Sequence, residues 1–164
     1  MRRLSWLWSS LACAGVVLTA AAGWPQPLGR SAEVHRPLSE VDRSVREYFS
    51  PDSMHDFHIV SQNRSKAKAE IVARRTVRDK LKWTELAYCK VPAMQMLDTL
   101  QKGSITVRVK LDRESPGRTY VTVEPVFEGV YEFAGNTNTR QCTSNGVLEK
   151  DILRAAGAPA ADLN

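Results

Sequence analysis

Two of the three cysteines in the 164-residue chain, Cys89 and Cys142, are candidates for chemistry. A thiol just ahead of a helix can be an activated nucleophile, or it can be half of a disulfide. The segment after Cys89 predicts such a helix, beginning at Pro92. A nucleophilic Cys89 would need a histidine as its base, and His58 is one candidate. No signature of a cysteine protease or a CxxC oxidoreductase surrounds Cys89.

The first 22 residues have the layout of a secretory signal peptide. Arg2 and Arg3 form a positive start, and the twenty residues 4–23 carry no charge. The small residues 20–22 satisfy the small-x-small rule for signal peptidase, so we expect cleavage after Ala22 and a periplasmic or secreted protein. The alternative is a retained anchor, since about twenty uncharged residues are long enough to span a bilayer.

Export bears directly on the role of the cysteines. Cleavage would remove Cys13 and leave two thiols, an even number, in an oxidising compartment. The sequence therefore predicts a Cys89–Cys142 disulfide that closes a loop of 53 residues. Such a loop closure stabilises a fold by about 4 kcal/mol in the chain-entropy model. The rival, a thiol-dependent enzyme that uses Cys89 with His58, requires Cys89 to stay reduced.

Positive charge is concentrated in one segment. The chain carries +5, of which +3 remains without Arg2 and Arg3. Residues 64–82 hold eight basic and two acidic residues, a net of +6, so the rest of the exported chain is at −3. A basic face of this kind can attract an acidic protein partner or an anionic envelope surface. The candidate binding residues are Arg64, Lys66, Lys68, Arg74, Arg75, Arg78, Lys80 and Lys82.

Other ligand classes have less support in the sequence. Trp83, which directly follows the basic segment, is the only aromatic residue in 64–83, so a stacking platform for single-stranded nucleic acid is missing. Export also disfavours a nucleic-acid partner. His55 and His58 lie three apart, but no cysteine or carboxylate set completes a metal site, and we expect neither a metal nor a cofactor. A membrane becomes a partner only if the N-terminal segment is retained.

The chain is predicted to form one domain. Residues 23–37 are proline-containing and lack apolar periodicity, which predicts a linker or disordered segment. A single α+β domain is expected at 38–157 and a flexible tail at 158–164. Helices are predicted between Ser39 and Pro51, from Pro92 to just before Gly103, and within residues 146–157. Strands are predicted at 66–75, 80–88, 104–112 and 120–133, and residues 134–146 are predicted to be a polar loop.

The strands at 104–112 and 120–133 alternate clearly and predict a hairpin with a Pro-Gly turn. The parity of the alternation fixes which pairings bury the apolar side chains. One such register sets Val109 opposite Val123 and Arg108 opposite Glu124 on the exposed face. Pro125 cannot donate to a ladder, so it marks an edge, a bulge or a bend.

The predicted order is helix, strands, helix, hairpin, helix. It indicates a curved antiparallel sheet with helices packed on one face, closed by one disulfide. A helix followed by a bent sheet resembles the architecture of cystatin-like and nuclear-transport-factor-like folds. Because fold alone does not fix function, the functional hypothesis depends on export and charge. It is a non-enzymatic binding or accessory protein of a bacterial envelope, acting through protein contacts and a local basic face. The rivals are the thiol-dependent enzyme and a signal-anchored subunit of an envelope machine.

Overall fold

The structure, a computed structural model, describes residues 30–89, 99–133 and 135–163. The predicted signal peptide lies outside these residues. The strands in the described ranges are β1 (Arg30–Val34), β2 (His58–Arg64), β3 (Lys68–Val77), β4 (Ala87–Tyr88), β5 (Thr99–Ser115), β6 (Arg118–Phe133) and β7 (Asn136–Ser144). The helices are α1 (Leu38–Tyr48), α2 (Lys80–Leu86) and α3 (Val147–Ala156), and a short 3-10 helix follows at Ala160–Leu163.

The strands form one seven-stranded antiparallel sheet in the order β2-β3-β5-β6-β7-β4, with β1 also paired to β6. On the side of β6 that faces away from β5, two strands pair with β6 one after the other. There β1 pairs with residues 119–123 and β7 pairs with residues 127–133. Pro125 lies in the gap between these two pairings. Its missing N–H therefore removes no ladder bond on that side, which explains a proline inside a central strand.

The β5–β6 register confirms the pairing that the sequence predicted. Val109 lies opposite Val123, and Arg108 lies opposite Glu124. The predicted ion pair across this register is replaced by a diagonal one, because Lys110 Nζ lies 2.6 Å from Glu124 Oε1. The odd-numbered side chains at the centre of the sheet are fully buried, among them Ile71, Ala73, Ile105, Val107, Val109, Leu111, Val121 and Val123.

All three helices pack against the face that carries these odd-numbered side chains. Helix α1 buries Leu38, Val41 and Val45, and α3 buries Ile152 and Leu153. Each such side chain stabilises the fold by about 1.5–3 kcal/mol through removal from water. The opposite face of the sheet, called the open face below, carries the even-numbered side chains of β3, β5 and β6. This arrangement is the α+β fold that the sequence predicted.

The predicted disulfide between Cys89 and Cys142 is present. It joins the residue after β4 to β7, at the edge of the sheet where these two strands pair. Trp83 of α2 lies beside it, and its Nε1–H donates to Cys89 Sγ at 3.3 Å. The indole also packs edge-to-face on Phe127, with ring centroids 5.8 Å apart. The disulfide and Trp83 together fasten α2 and the outer strands to the core.

Three segments predicted to be irregular are ordered. Residues 30–34, inside the expected linker 23–37, form β1, so the folded part begins at or before Arg30 rather than near Leu38. In the expected tail 158–164, residues 160–163 form the 3-10 helix and Leu163 is buried. Residues 136–144 were predicted as loop and instead form β7, whose side chains are mostly exposed. Such a polar edge strand lacks the alternation from which strands are predicted.

For two other segments, the predicted type of secondary structure was wrong. Residues 80–86 are helix α2 rather than strand, because the Asp79 carboxylate caps the backbone N–H groups of Leu81 and Lys82. Residues 99–103 are strand rather than the end of a helix, and Gly103 lies opposite Gly129 instead of ending a helix. The rest of that predicted helix, residues 92–98, lies outside the described residues. Ser39 was predicted to cap α1, but the N-cap is Pro37.

Candidate functional site

The basic segment 64–82 does not form a single face. Strand β3 runs through its middle and, at the usual rise per residue, separates its two ends by about 30 Å. Arg64 and Lys66 lie at the turn between β2 and β3, and Arg78, Lys80 and Lys82 follow β3. All five side chains are exposed. The charge concentration seen in the sequence is therefore divided between two distant places.

The three cations of β3 itself are engaged by the fold. Lys68 forms an ion pair with Asp112 at 3.0 Å. Arg74 Nε donates to Ser104 Oγ at 3.3 Å. Arg75 is half-buried on the helix-covered side, where its guanidinium lies 5.8 Å from the ring centroid of Phe57. Of these three candidates for partner binding, only Lys68 has an acidic partner among the described residues; Arg74 contacts a neutral hydroxyl, and Arg75 Nε is buried without a hydrogen-bond partner.

Two further cations of the open face, Lys110 and Arg108 of β5, have acidic partners. Lys110 pairs with Glu124 at 2.6 Å, and Arg108 Nε lies 3.7 Å from Glu70 Oε1. Such exposed pairs add little stability, about 0–1 kcal/mol each. These pairs matter more for the electrostatic potential than for stability, because neighbouring charges of opposite sign cancel the field above the open face. In the basic segment, Lys66 lies before β3 and Arg78, Lys80 and Lys82 follow it, and none of these four cations forms an ion pair among the described residues.

The first of these ends contains a cavity of about 470 Å³ between the start of α1 and the β2–β3 turn. We call it the turn pocket. It is lined by Leu38, Ser39, Arg64, Ser65, Lys66 and Arg113, which are three cations, two hydroxyls and one apolar side chain. No carboxylate is among these six residues. A neighbouring cavity of about 320 Å³ is different, since Glu70 and Asp112 line it together with Lys68 and Lys110.

A buried carboxylate holds Arg64 in place at the turn pocket. Asp42 of α1 is 2% exposed. Its Oδ2 lies 3.4 Å from Arg64 Nη1, and its Oδ1 accepts a hydrogen bond from Arg46 Nε at 3.0 Å. Arg46 Nη1 also donates to Gln62 Oε1 of β2. Removing the carboxylate would leave these cations without their partner, so Asp42 positions Arg64 and ties α1 to β2.

The turn beneath the pocket is fixed by its own hydrogen bonds. Ser65 N–H donates to the carbonyl of Lys68 at 2.7 Å, and Ser65 Oγ accepts from the N–H of Lys68 at 3.0 Å. Arg113 N–H donates to the carbonyl of Ala67 at 2.7 Å. This last bond brings Arg113 beside the turn. Because Arg113 is distant in sequence from the basic segment, it joins the site only through the β3–β5 pairing, which the sequence did not predict.

The second end carries Arg78, Lys80 and Lys82, which we call the helix group. Leu81 lies among them and is 75% exposed. The adjacent Asp79 is used as the cap of α2, at 2.9 Å from the Leu81 N–H. Within the described residues none of the three cations forms an ion pair. An exposed leucine between free cations is suited to a partner that is both anionic and partly apolar.

The structure separates the residues of the thiol-enzyme hypothesis. Cys89 Sγ is engaged in the disulfide. Cys89 follows β4 at one edge of the sheet, and His58 begins β2 at the opposite edge. Five interstrand spacings correspond to about 24 Å, far beyond the reach of a nucleophile–base hydrogen bond. In the state that the structure describes, Cys89 and His58 do not form a catalytic pair.

The other titratable residues have local partners. His55 stacks on Tyr48 with ring centroids 4.0 Å apart. Burial, and secondarily the charge of Asp151, raises the pKa of Tyr48 to about 12, although Arg75 lowers it in part. Tyr48 is therefore protonated at neutral pH and unsuited to act as a base. Within the described ranges, no group of three or more His, Cys, Asp and Glu side chains could hold a metal ion.

Within the described part of the chain, no helix has the length and apolar character needed to cross a membrane.

Comparisons with known proteins found no relative of this chain. The chain matches no protein-family model, and neither the curated proteins nor the solved structures searched gave a match.

Proposed function

We propose that the chain is an exported, non-enzymatic binding or accessory protein of a bacterial cell envelope. Its partner is an acidic protein or an anionic envelope surface, which it contacts through the turn pocket and the helix group. The observation that carries the proposal is the uneven pairing of charge. Lys68, Arg108 and Lys110 have acidic partners within the chain, whereas Lys66, Arg113 and the helix group have no acidic partner among the described residues.

Charge of this kind acts at a distance. An unpaired cluster attracts an anionic partner over about one Debye length, about 10 Å at 0.1 M salt, and it speeds the encounter. Salt weakens the same attraction. Binding that depends on these cations should therefore be tightest at low ionic strength and decline steadily as salt is added.

Export is the second part of the proposal. It is supported by the layout of residues 1–22 and agrees with an oxidised pair, since disulfides persist mainly outside the cytosol. N-terminal sequencing of the exported protein should begin at Gly23. An intact Met1 on membrane-bound material would instead favour a signal-anchored subunit, and fractionation of the native protein distinguishes the two.

Retention of the exported protein on an envelope fraction from its source organism tests the binding proposal. A double substitution in the helix group, Lys80→Gln with Lys82→Gln, should reduce retention at low salt. A second double variant, Lys66→Gln with Arg113→Gln, tests the turn pocket in the same way. Arg43 and Lys102 are exposed cations outside both groups, so Arg43→Gln with Lys102→Gln is the matched control.

The control changes the net charge by the same amount as each test variant. If all three variants lower retention equally, only net charge matters and neither group is a binding site. If none of them changes retention, the cations are solvated surface and the proposal is wrong.

A further inference from the structure

We propose that the turn pocket is a binding site for a phosphoryl group, a tetrahedral oxyanion that is either free or carried on a larger molecule such as a lipid headgroup. This inference rests on the proposed function and deepens it by naming the ligand class. Nothing in the proposed function requires it, because a flat cationic surface would attract an anionic partner without any pocket.

The composition of the pocket is the first argument. Two guanidinium groups, from Arg64 and Arg113, and the Lys66 ammonium line one cavity without a carboxylate. Guanidinium forks match the oxygen spacing of phosphate and can each bind two oxygens, whereas an ammonium acts as a point charge. The neighbouring cavity of about 320 Å³ is lined by Glu70 and Asp112 as well as by cations, so its cations already have counter-ions.

The second argument is that the fold itself places these groups together. Arg64 is held by Asp42, Lys66 stands on the turn that Ser65 closes, and Arg113 is fixed by the backbone bond to Ala67. Like charges brought together repel one another, and among the described residues Lys66 and Arg113 have no counter-ion within the chain. An anion at their centre would remove that repulsion, and it would find Arg64 held by Asp42 and the backbones of Lys66 and Arg113 already positioned by the turn.

The hydroxyl groups are the third argument. Ser39 is the second residue of α1, but α1 has no side-chain cap and its N-cap is Pro37. The Ser39 hydroxyl is therefore not used by the helix and has no hydrogen-bond partner in the described residues. A hydroxyl donor beside three cations suits an acceptor-only oxyanion, since phosphate offers several lone pairs in different directions.

The size of the cavity is the fourth argument. Its volume of about 470 Å³ falls within the range of small-molecule sites, about 300–1,000 Å³. That leaves room for atoms attached to the phosphoryl group. The charge also suits a dianion: Arg64 shares its charge with Asp42, so Lys66 and Arg113 supply the two cations without a partner in the described residues.

Titration of the exported, ¹⁵N-labelled protein with inorganic phosphate, followed by amide chemical shifts, tests the inference. We expect saturable shifts centred on Ser39, Ser65 and Lys66. In the double variant Lys66→Gln with Arg113→Gln, the dissociation constant should rise by about tenfold or more, since two charge-assisted contacts are lost. The matched control, Arg43→Gln with Lys102→Gln, changes exposed cations outside both groups and should bind phosphate as the wild type does.

Further arms separate the ligand sources and the ligand classes. Glycerol phosphate that binds more tightly than inorganic phosphate would indicate a headgroup, and the reverse order would indicate free phosphate. Acetate that binds as tightly as phosphate would overturn the phosphoryl assignment. Shifts that never saturate, or that are equal in both double variants, would overturn the site itself. Normal envelope retention without phosphate binding would contradict the phosphoryl site and leave the proposed function intact. Phosphate binding without envelope retention would contradict the proposed function.

Discussion

Replacing Gly103 by alanine should destabilise the protein strongly, because the indole of Trp83 lies directly on this glycine. A Cβ at Gly103 would lie 2.7 Å from Cδ2 of Trp83 and closer still to two other ring carbons. The indole is 2% exposed, so it has little room to retreat. Displacing it fully would cost about 3–5 kcal/mol, as for loss of a buried tryptophan. A partial backbone shift would cost about 1–3 kcal/mol, and we expect about 3 kcal/mol.

Urea denaturation followed by tryptophan fluorescence measures this loss. The matched control is Gly117→Ala, because nothing lies within 4 Å of a Cβ built at that turn. Gly117→Ala should change the free energy of unfolding by less than about 1 kcal/mol. If Gly103→Ala is as well tolerated as Gly117→Ala, the indole does not pack on β5 and the placement of α2 is wrong.

Three further predictions concern the disulfide, the buried face and the pH dependence of stability. Replacing Cys89 and Cys142 together by serine should lower the free energy of unfolding by about 4 kcal/mol for a separation of 53 residues, which urea denaturation measures; two alkylatable thiols in freshly isolated native protein would contradict the disulfide. Val109→Asp should prevent folding because it buries an unpaired charge, whereas Arg108→Ala should cost under about 1 kcal/mol; equal tolerance, measured by circular dichroism, would reverse the two faces. The pKa of Tyr48 is raised from 10.0 to about 12, so stability should be unaffected by this group below pH 10.0 and should fall as pH rises from 10.0 to 12; this fall should be absent in Tyr48→Phe.

The fold was predictable where one face of a strand is buried. Alternation identified β3, β5 and β6, and its parity restricted the β5–β6 pairing to a set of registers that includes the observed one, with Val109 opposite Val123. The disulfide was predicted from the expected export and the even number of thiols that export would leave. These features depend on local pattern or simple counting, which a single sequence contains.

The misassigned segments depend on contacts that local pattern does not contain. Strand β7 is a polar edge, and β1 occupies a position that the length of β6 leaves available. Gly103 was interpreted as a helix terminator because glycine is common there. In the structure it is the site where Trp83 approaches β5, a contact between segments twenty residues apart.

The candidate site was partly predictable for the same reason. Charge counting identified Arg64 and Lys66, but it also included Arg74 and Arg75, which lie within β3 and contact Ser104 and Phe57 rather than the turn pocket. Arg113 was missed because only the pairing of β3 with β5 brings it to the turn. Charge density along a chain therefore indicates attraction, while the pairing of strands decides which charges are left without partners.

The most direct test of the central claim is the salt dependence of envelope binding for the wild type and for a variant that lacks two cations of the turn pocket and two of the helix group. That variant combines Lys66→Gln, Arg113→Gln, Lys80→Gln and Lys82→Gln. The account predicts that wild-type affinity falls steeply as ionic strength rises, and that the variant binds weakly with a much flatter dependence. Equal affinity and equal salt dependence for the two proteins would contradict the claim that these unpaired cations are the binding surface.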